Sequence, residues 1–113
     1  MATYSINPTT EEMLEEVVYI SKNELSLKIE QAHSAYRLWR EVPFKKKIQY
    51  FTTLIDILER EKDTLARIDA IEMGMPIREA LGDVSKSIAN IRYFIENGEK
   101  MIAPEYFDQN GVQ

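Results

Sequence analysis

From Leu25 to Ile95 apolar residues return at every third or fourth position in four separate runs, and this period constrains the architecture more than any other feature of the chain. Such spacing lines one face of a helix. In the first run Leu25, Ile29, Ala32, Tyr36 and Trp39 share a stripe that reads as a core face. Ser21 precedes it and Glu24 lies three residues on, the reciprocal pairing of a capping box, so a helix should start near Lys22 and end as the chain nears Pro43. The second run is Phe44, Ile48, Phe51, Ile55 and Leu58. Pro43 suits its first helical position, where a missing N–H costs nothing. After the polar interruption Glu59-Arg60-Glu61-Lys62-Asp63 comes a shorter helix carrying Leu65, Ile68 and Ile71. Gly74 can stop it by taking a positive φ. Pro76 then suits the first turn of a fourth and longest helix with Ile77, Leu81, Val84, Ile88, Ile91 and Ile95, which Asn97-Gly98 either ends or loosens.

The segment before Ser21 is open on its residues alone. Thr9 with Glu12 imitates a capping box and Glu11 to Glu16 has good helix propensity, whereas Asn7-Pro8 is turn chemistry and Val17-Val18-Tyr19-Ile20 is a strand-favouring run. The tail from Glu105 to Gln113 has no period. No internal repeat or low-complexity stretch occurs. Leu27 and Leu38 fall on the back of the first helix, and Ala89 and Tyr93 on the back of the fourth. Apolar residues on both faces of helices imply a further covering surface, from a partner or from more chain.

A chain of 113 residues is one domain or a piece of a larger one, and 44% hydrophobic against 29% charged residues is a folding composition. The net charge of -5 opposes polyanions, and the one basic cluster, Lys45-Lys46-Lys47, is short, so nucleic acid is not an expected partner. With no cysteine there is no disulfide, thiolate metal site or thiol nucleophile in these residues. The opening residues carry no signal-peptide pattern and no run approaches the ~20 apolar residues of a membrane span. A cytoplasmic protein without a membrane partner is expected.

Each catalytic possibility meets a missing part. Gly74, Gly82, Gly98 and Gly111 are too far apart for a phosphate-cradling loop. His33 is the only histidine, and it reads as a helix-surface or partly buried residue rather than a triad member or metal ligand. Asp69 and Glu72 stand at i, i+3 and could share a helix face as an acid and a base, but 19 acidic residues make a solvated face the simpler reading. Lys45-Lys46-Lys47 with Phe44, Tyr50 and Phe51 could stack nucleotides, yet the aromatic residues fall largely on the core stripe. Met73 and Met75 are gap fillers beside a turn. No catalytic, cofactor-binding or metal residue is expected, and by itself this pattern describes a helical interaction module.

The stretch DAIEMGMPIREA, Asp69 to Ala80, adds a second line of inference, because it resembles the EMGKP-type segment near the amino end of aldehyde dehydrogenases. Other matches run in order from about Tyr4 to Glu105. Ile6-Asn7-Pro8-Thr9-Thr10 is similar to the family's INPATG opening; Ala32, Ala35, Trp39 and Pro43 match its first helix and turn. Thr53-Leu54, Leu58 and Leu65-Ala66 resemble the next helices, and Val84, Lys86-Ser87 and Ile91-Arg92-Tyr93-Phe94 the long helix after them. Glu79 to Glu105 looks most like the succinate-semialdehyde branch. Two departures are Glu11, where the family usually has the hairpin glycine, and Met75, where it usually has lysine.

The resemblance implies a mainly α segment of about four helices with a short N-terminal β-hairpin, part of the α/β aldehyde dehydrogenase fold. Residues 1–20 would be the leading hairpin, its strands running from Ile6 to about Ile20. Residues 21–103 would be the helical layer of the cofactor-binding domain and 104–113 an irregular tail. It also implies that the helices pack on a parallel sheet. The family oxidises aldehydes through a cysteine thiolate, hydride transfer to NAD or NADP and a glutamate base, and in the family those parts lie beyond the residues matched here. The expectation is an amino-terminal portion of an NAD(P)-dependent aldehyde dehydrogenase, not catalytic alone and binding no cofactor alone, whose partner is the remainder of such a chain or a second copy. A free-standing helical interaction module derived from the same fold is the alternative.

Overall fold

The computed structural model describes residues 2–106. Two strands, β1 (Ala2–Ile6) and β2 (Met13–Val18), pair antiparallel from Ala2 opposite Val18 to Ile6 opposite Met13, with an irregularity between Ser5 and Ile6. The hairpin expected from the resemblance is present, but its first strand lies earlier than expected and Ile6 closes it. Local bonding in the turn explains why propensity loses here. Asn7 Oδ1 accepts from the N–H of Thr9 at 2.9 Å and of Thr10 at 3.3 Å. The Asn7 N–H donates to Glu12 O and the Glu11 N–H to Asn7 O, at 2.9 and 2.8 Å. Closing that loop puts Glu11 at φ 62°, a left-handed backbone that disfavours a β-carbon.

Four helices follow: α1 (Lys22–Trp39), α2 (Phe44–Arg60), α3 (Lys62–Met73) and α4 (Ile77–Met101). The capping box that starts α1 is formed in both directions. The Glu24 N–H donates to Ser21 Oγ at 3.2 Å, and the Ser21 N–H donates to Glu24 Oε2 at 2.8 Å. Pro43 and Pro76 sit one position before α2 and α4, with extended ψ of 143° and 136°, rather than inside the first turn. Their carbonyls nevertheless accept the first helical bonds. Gly74 ends α3 at φ 66°, as its sequence position predicts. Asn97-Gly98 does not end α4, which runs on to Met101 with Asn97 Nδ2 donating to Tyr93 O at 2.8 Å.

The packed part of the molecule is the trio α2, α3 and α4, with α4 shared by the other two. Ile55 of α2 and Ile88 of α4 are buried, and Ala66 of α3 and Ala80 of α4 are completely so. A fully buried alanine on each of α3 and α4 is small enough to let packed helix backbones approach closely, which is how a short helix of mixed composition can still pack. An exposed ion pair between Arg92 and Glu59 also joins α4 to α2.

The stripe of α1 departs from its reading as a core face. No residue of this helix is buried; Leu25 is 48% and Ile29 61% exposed. The period correctly places its apolar residues on one side, but nothing in the described residues covers that side. Its C-terminal end alone meets α2 in a defined aromatic contact, with Trp39 and Tyr50 ring centroids 5.6 Å apart and Lys47 Nζ 5.4 Å from the indole centroid. The chain is accordingly long and open. Its radius of gyration is 20.3 Å, against ~13 Å for a compact domain of this length. The accessible surface is 10024 Å², against ~6,400 Å² for a compact protein of this mass.

Candidate functional site

The residues that sequence chemistry singles out do not converge. His33 is exposed on α1, its Nε2 3.2 Å from Arg37 Nη2 one turn away. Asp69 is half-buried on α3, while Glu72 is exposed and its carboxylate accepts a long 3.5 Å bond from Ser5 Oγ of the hairpin. Lys45 and Lys46 point to solvent, and Lys47 lies over Trp39 instead of joining them. Among the described residues no three of His, Asp and Glu gather into a potential metal site, and no helix is long and apolar enough to cross a membrane.

Two of the glycines hold structural contacts. A β-carbon at Gly74 would lie 2.7 Å from Pro8 Cγ and 3.0 Å from Thr9 Oγ1, so the hairpin turn is seated on the α3–α4 junction. Thr9, which imitates a helix cap in sequence, serves this contact. At Gly98 a β-carbon would lie 2.9 Å from Phe44 Cζ, where the start of α2 crosses the end of α4. Of the three described glycines only Gly82, within α4, faces open space. The room that Gly74 and Gly98 leave is filled by protein atoms, and none of the three sits on a loop between a strand and a helix. These residues do not fit a dinucleotide phosphate cradle.

What the chain does offer is an apolar groove between α2 and α4, with a volume of about 370 Å³. Phe44, Ile48 and Phe51 form one wall, Ile91, Phe94 and Ile95 the other, and Gly98 forms part of the lining at the far end. Among the described residues its only charged lining residue is Lys47. Both stripes are legible in the sequence, and their open faces agree with helices that need a further covering surface; Phe94, on the flank of the α4 stripe, is a wall residue that the stripe does not include. Rings exposed on both sides of a cleft are a surface for association, not for chemistry.

A leading antiparallel hairpin docked on the glycine that separates two helices, followed by a helical layer open on one side, is part of an aldehyde dehydrogenase fold, and the chain belongs to the aldehyde dehydrogenase family, whose profile matches residues 2–112. The region matched is the family's amino-terminal one. Over all 113 residues the chain is 30% identical to a probable succinate-semialdehyde dehydrogenase [NADP(+)] of Synechocystis sp., covering 25% of that protein. Over 108 residues, 96% of the chain, it is 29% identical to succinate-semialdehyde dehydrogenase [NADP(+)] 1 of Mycobacterium tuberculosis, covering 24% of it. The chain thus spans about a quarter of the length of these relatives.

The fold recurs in solved structures at 24% identity. An aldehyde dehydrogenase from Bartonella henselae matches the whole chain at a TM-score of 0.86 over 24% of its own length. A glyceraldehyde-3-phosphate dehydrogenase from Methanocaldococcus jannaschii, complexed with NADP, matches 94% of the chain at 0.83 over 23% of its own.

Proposed function

We propose that residues 21–103 serve as the helical layer of the cofactor-binding domain of an NAD(P)-dependent aldehyde dehydrogenase, with the hairpin leading into it. The complete enzyme would oxidise an aldehyde to a carboxylate. Relatives named for succinate semialdehyde and NADP(+) make that aldehyde and that cofactor the first to test. The observation that carries the reading is the open groove between α2 and α4, an apolar surface of the kind that a sheet of the same fold would cover. The chain by itself would neither oxidise aldehydes nor bind the dinucleotide, having no cysteine and no phosphate cradle. The absence of cysteine also suits a reducing compartment such as the cytoplasm.

The test is co-expression of this chain with the part of the Synechocystis relative that lies outside the matched quarter. A stable complex that gains NADP binding and oxidises succinate semialdehyde, read by NADPH absorbance, supports the reading. No complex with that remainder would overturn it. The same open groove also favours a second reading, a free-standing interaction module; that reading gains if the chain resists association with any aldehyde dehydrogenase remainder while folding stably alone.

A further inference from the structure

An asparagine followed by glycine is ordinarily turn chemistry, yet Asn97 and Gly98 sit inside α4, about one turn before it ends at Met101. The pair is also chemically unstable. Glycine has no β-carbon to shield its backbone nitrogen from the neighbouring carboxamide, and asparagine is a thermolabile residue. When the Gly98 nitrogen gives up its proton to base it can attack Cγ of Asn97. The new N–C bond closes a cyclic imide, and Nδ2 takes up a proton and leaves as ammonia. Water then opens the ring, giving an aspartate or an isoaspartate at position 97. We propose that Asn97–Gly98 is a deamidation site held silent by the fold and opened only when the end of α4 lifts from α2.

Three features hold it silent. Asn97 Nδ2 donates to Tyr93 O at 2.8 Å, which draws the carboxamide back along the helix, away from the Gly98 nitrogen. That nitrogen is itself engaged, because inside an α-helix its N–H points to the carbonyl four residues earlier, here Phe94. Gly98 is also buried, with Cζ of Phe44 only 2.9 Å from where its β-carbon would stand. The turn that must unwind is lightly held. Only Glu99 to Met101 remain helical beyond Gly98; the Ile102 N–H reaches Gly98 O at 3.1 Å, and the next bond, from Ala103 to Lys100 O, is long at 3.4 Å. Opening such an end costs less than unfolding the whole. Either product adds a negative charge beside Glu96 and Glu99, at the helix end where the dipole disfavours anions. Isoaspartate also routes the main chain through a β-carbon and breaks the helical repeat, so each opening that reacts is recorded irreversibly.

The tryptic peptide Tyr93–Lys100 carries Asn97 as its only carboxamide side chain, so mass spectrometry reads the site directly as the exchange of NH for O. The same stretch as a synthetic peptide, too short to hold a helix, gives the unprotected rate. At mildly alkaline pH the 113-residue chain should convert more slowly than the peptide by about tenfold or more. Phe44→Ala should move the rate toward that of the peptide while most of the helix signal in circular dichroism is retained. Ser21→Ala, which removes the cap of α1, should leave it unchanged. Chain enriched in the product should show less helix. Equal rates in chain and peptide, no conversion of the peptide, an acceleration by Ser21→Ala equal to that by Phe44→Ala, a Phe44→Ala rate that rises only with loss of the helix signal, or a product with undiminished helix would each overturn the proposal.

Discussion

The ring of Pro8 occupies the space a β-carbon of residue 74 would need, with Cγ 2.7 Å from that position. Gly74 is therefore required twice over, by its φ of 66° and by the hairpin turn pressed against it. Gly74→Ala is expected to destabilise the fold by about 2–3 kcal/mol, combining left-handed strain with displacement of Pro8 and Thr9. Denaturant titration gives the magnitude. Hydrogen exchange at Asn7 and Glu11 should show the turn loosening.

Gly82 and Gly98 share α4 but should respond oppositely to alanine. Gly82→Ala meets open space and should stabilise by about 0.5–1 kcal/mol through helix propensity. At Gly98 the same gain is opposed by Phe44, so Gly98→Ala should fall short of Gly82→Ala by about 1 kcal/mol or more. In a Phe44→Ala background the shortfall should vanish, and a double-mutant cycle by thermal unfolding measures it.

Glu11 holds a backbone conformation that glycine adopts without strain. Glu11→Gly should stabilise the hairpin by about 0.5–1 kcal/mol, the relief of left-handed strain exceeding the entropy that glycine adds to the unfolded chain. Hairpin amide protection, compared between the two proteins, checks this; lowered protection would mean that the side chain contributes something not apparent in the turn.

Hydrogen bonds from the Ser21 backbone and side chain to Glu24 lower the carboxyl pKa of Glu24 below its ordinary value. A depressed folded-state pKa stabilises α1 fully above the unfolded-state value of about 4.3, and that contribution is lost as pH falls through the lower folded-state value. Acidification across this window should therefore fray the start of α1. Glu24→Gln, which keeps an acceptor but does not titrate, should remove that component of the helix signal in circular dichroism.

Much of this fold is legible in the sequence because its helices announce themselves locally. Ser21 with Glu24, the stripe of α2 and the stop at Gly74 all sit where spacing and caps place them. The hairpin is different. Glu11 to Glu16 favour helix, and strands form there because Asn7 fastens the turn and Pro8 docks on a residue far away in the chain, information that no local window contains. Family resemblance supplied what propensity could not. The stripe of α1 shows the opposite limit, since periodicity tells which side of a helix is apolar but not whether the covering surface belongs to the same chain. Of the segment 104–113, residues 104–106 carry neither helix nor strand and 107–113 lie outside the described residues.

The seat of the hairpin turn also sets an order in time. Each of α2, α3 and α4 packs on helices near it in sequence, so this trio can assemble through short loop closures. The hairpin must wait, because its docking surface does not exist until α3 has ended and α4 has begun. During synthesis Pro8 leaves the ribosome more than sixty residues before Gly74, and for that interval the strands have only each other, a pairing marginal in water. Substitutions at the Pro8–Gly74 contact should therefore leave the folding rate of the helices nearly unchanged and act mainly on the rate at which the hairpin comes off.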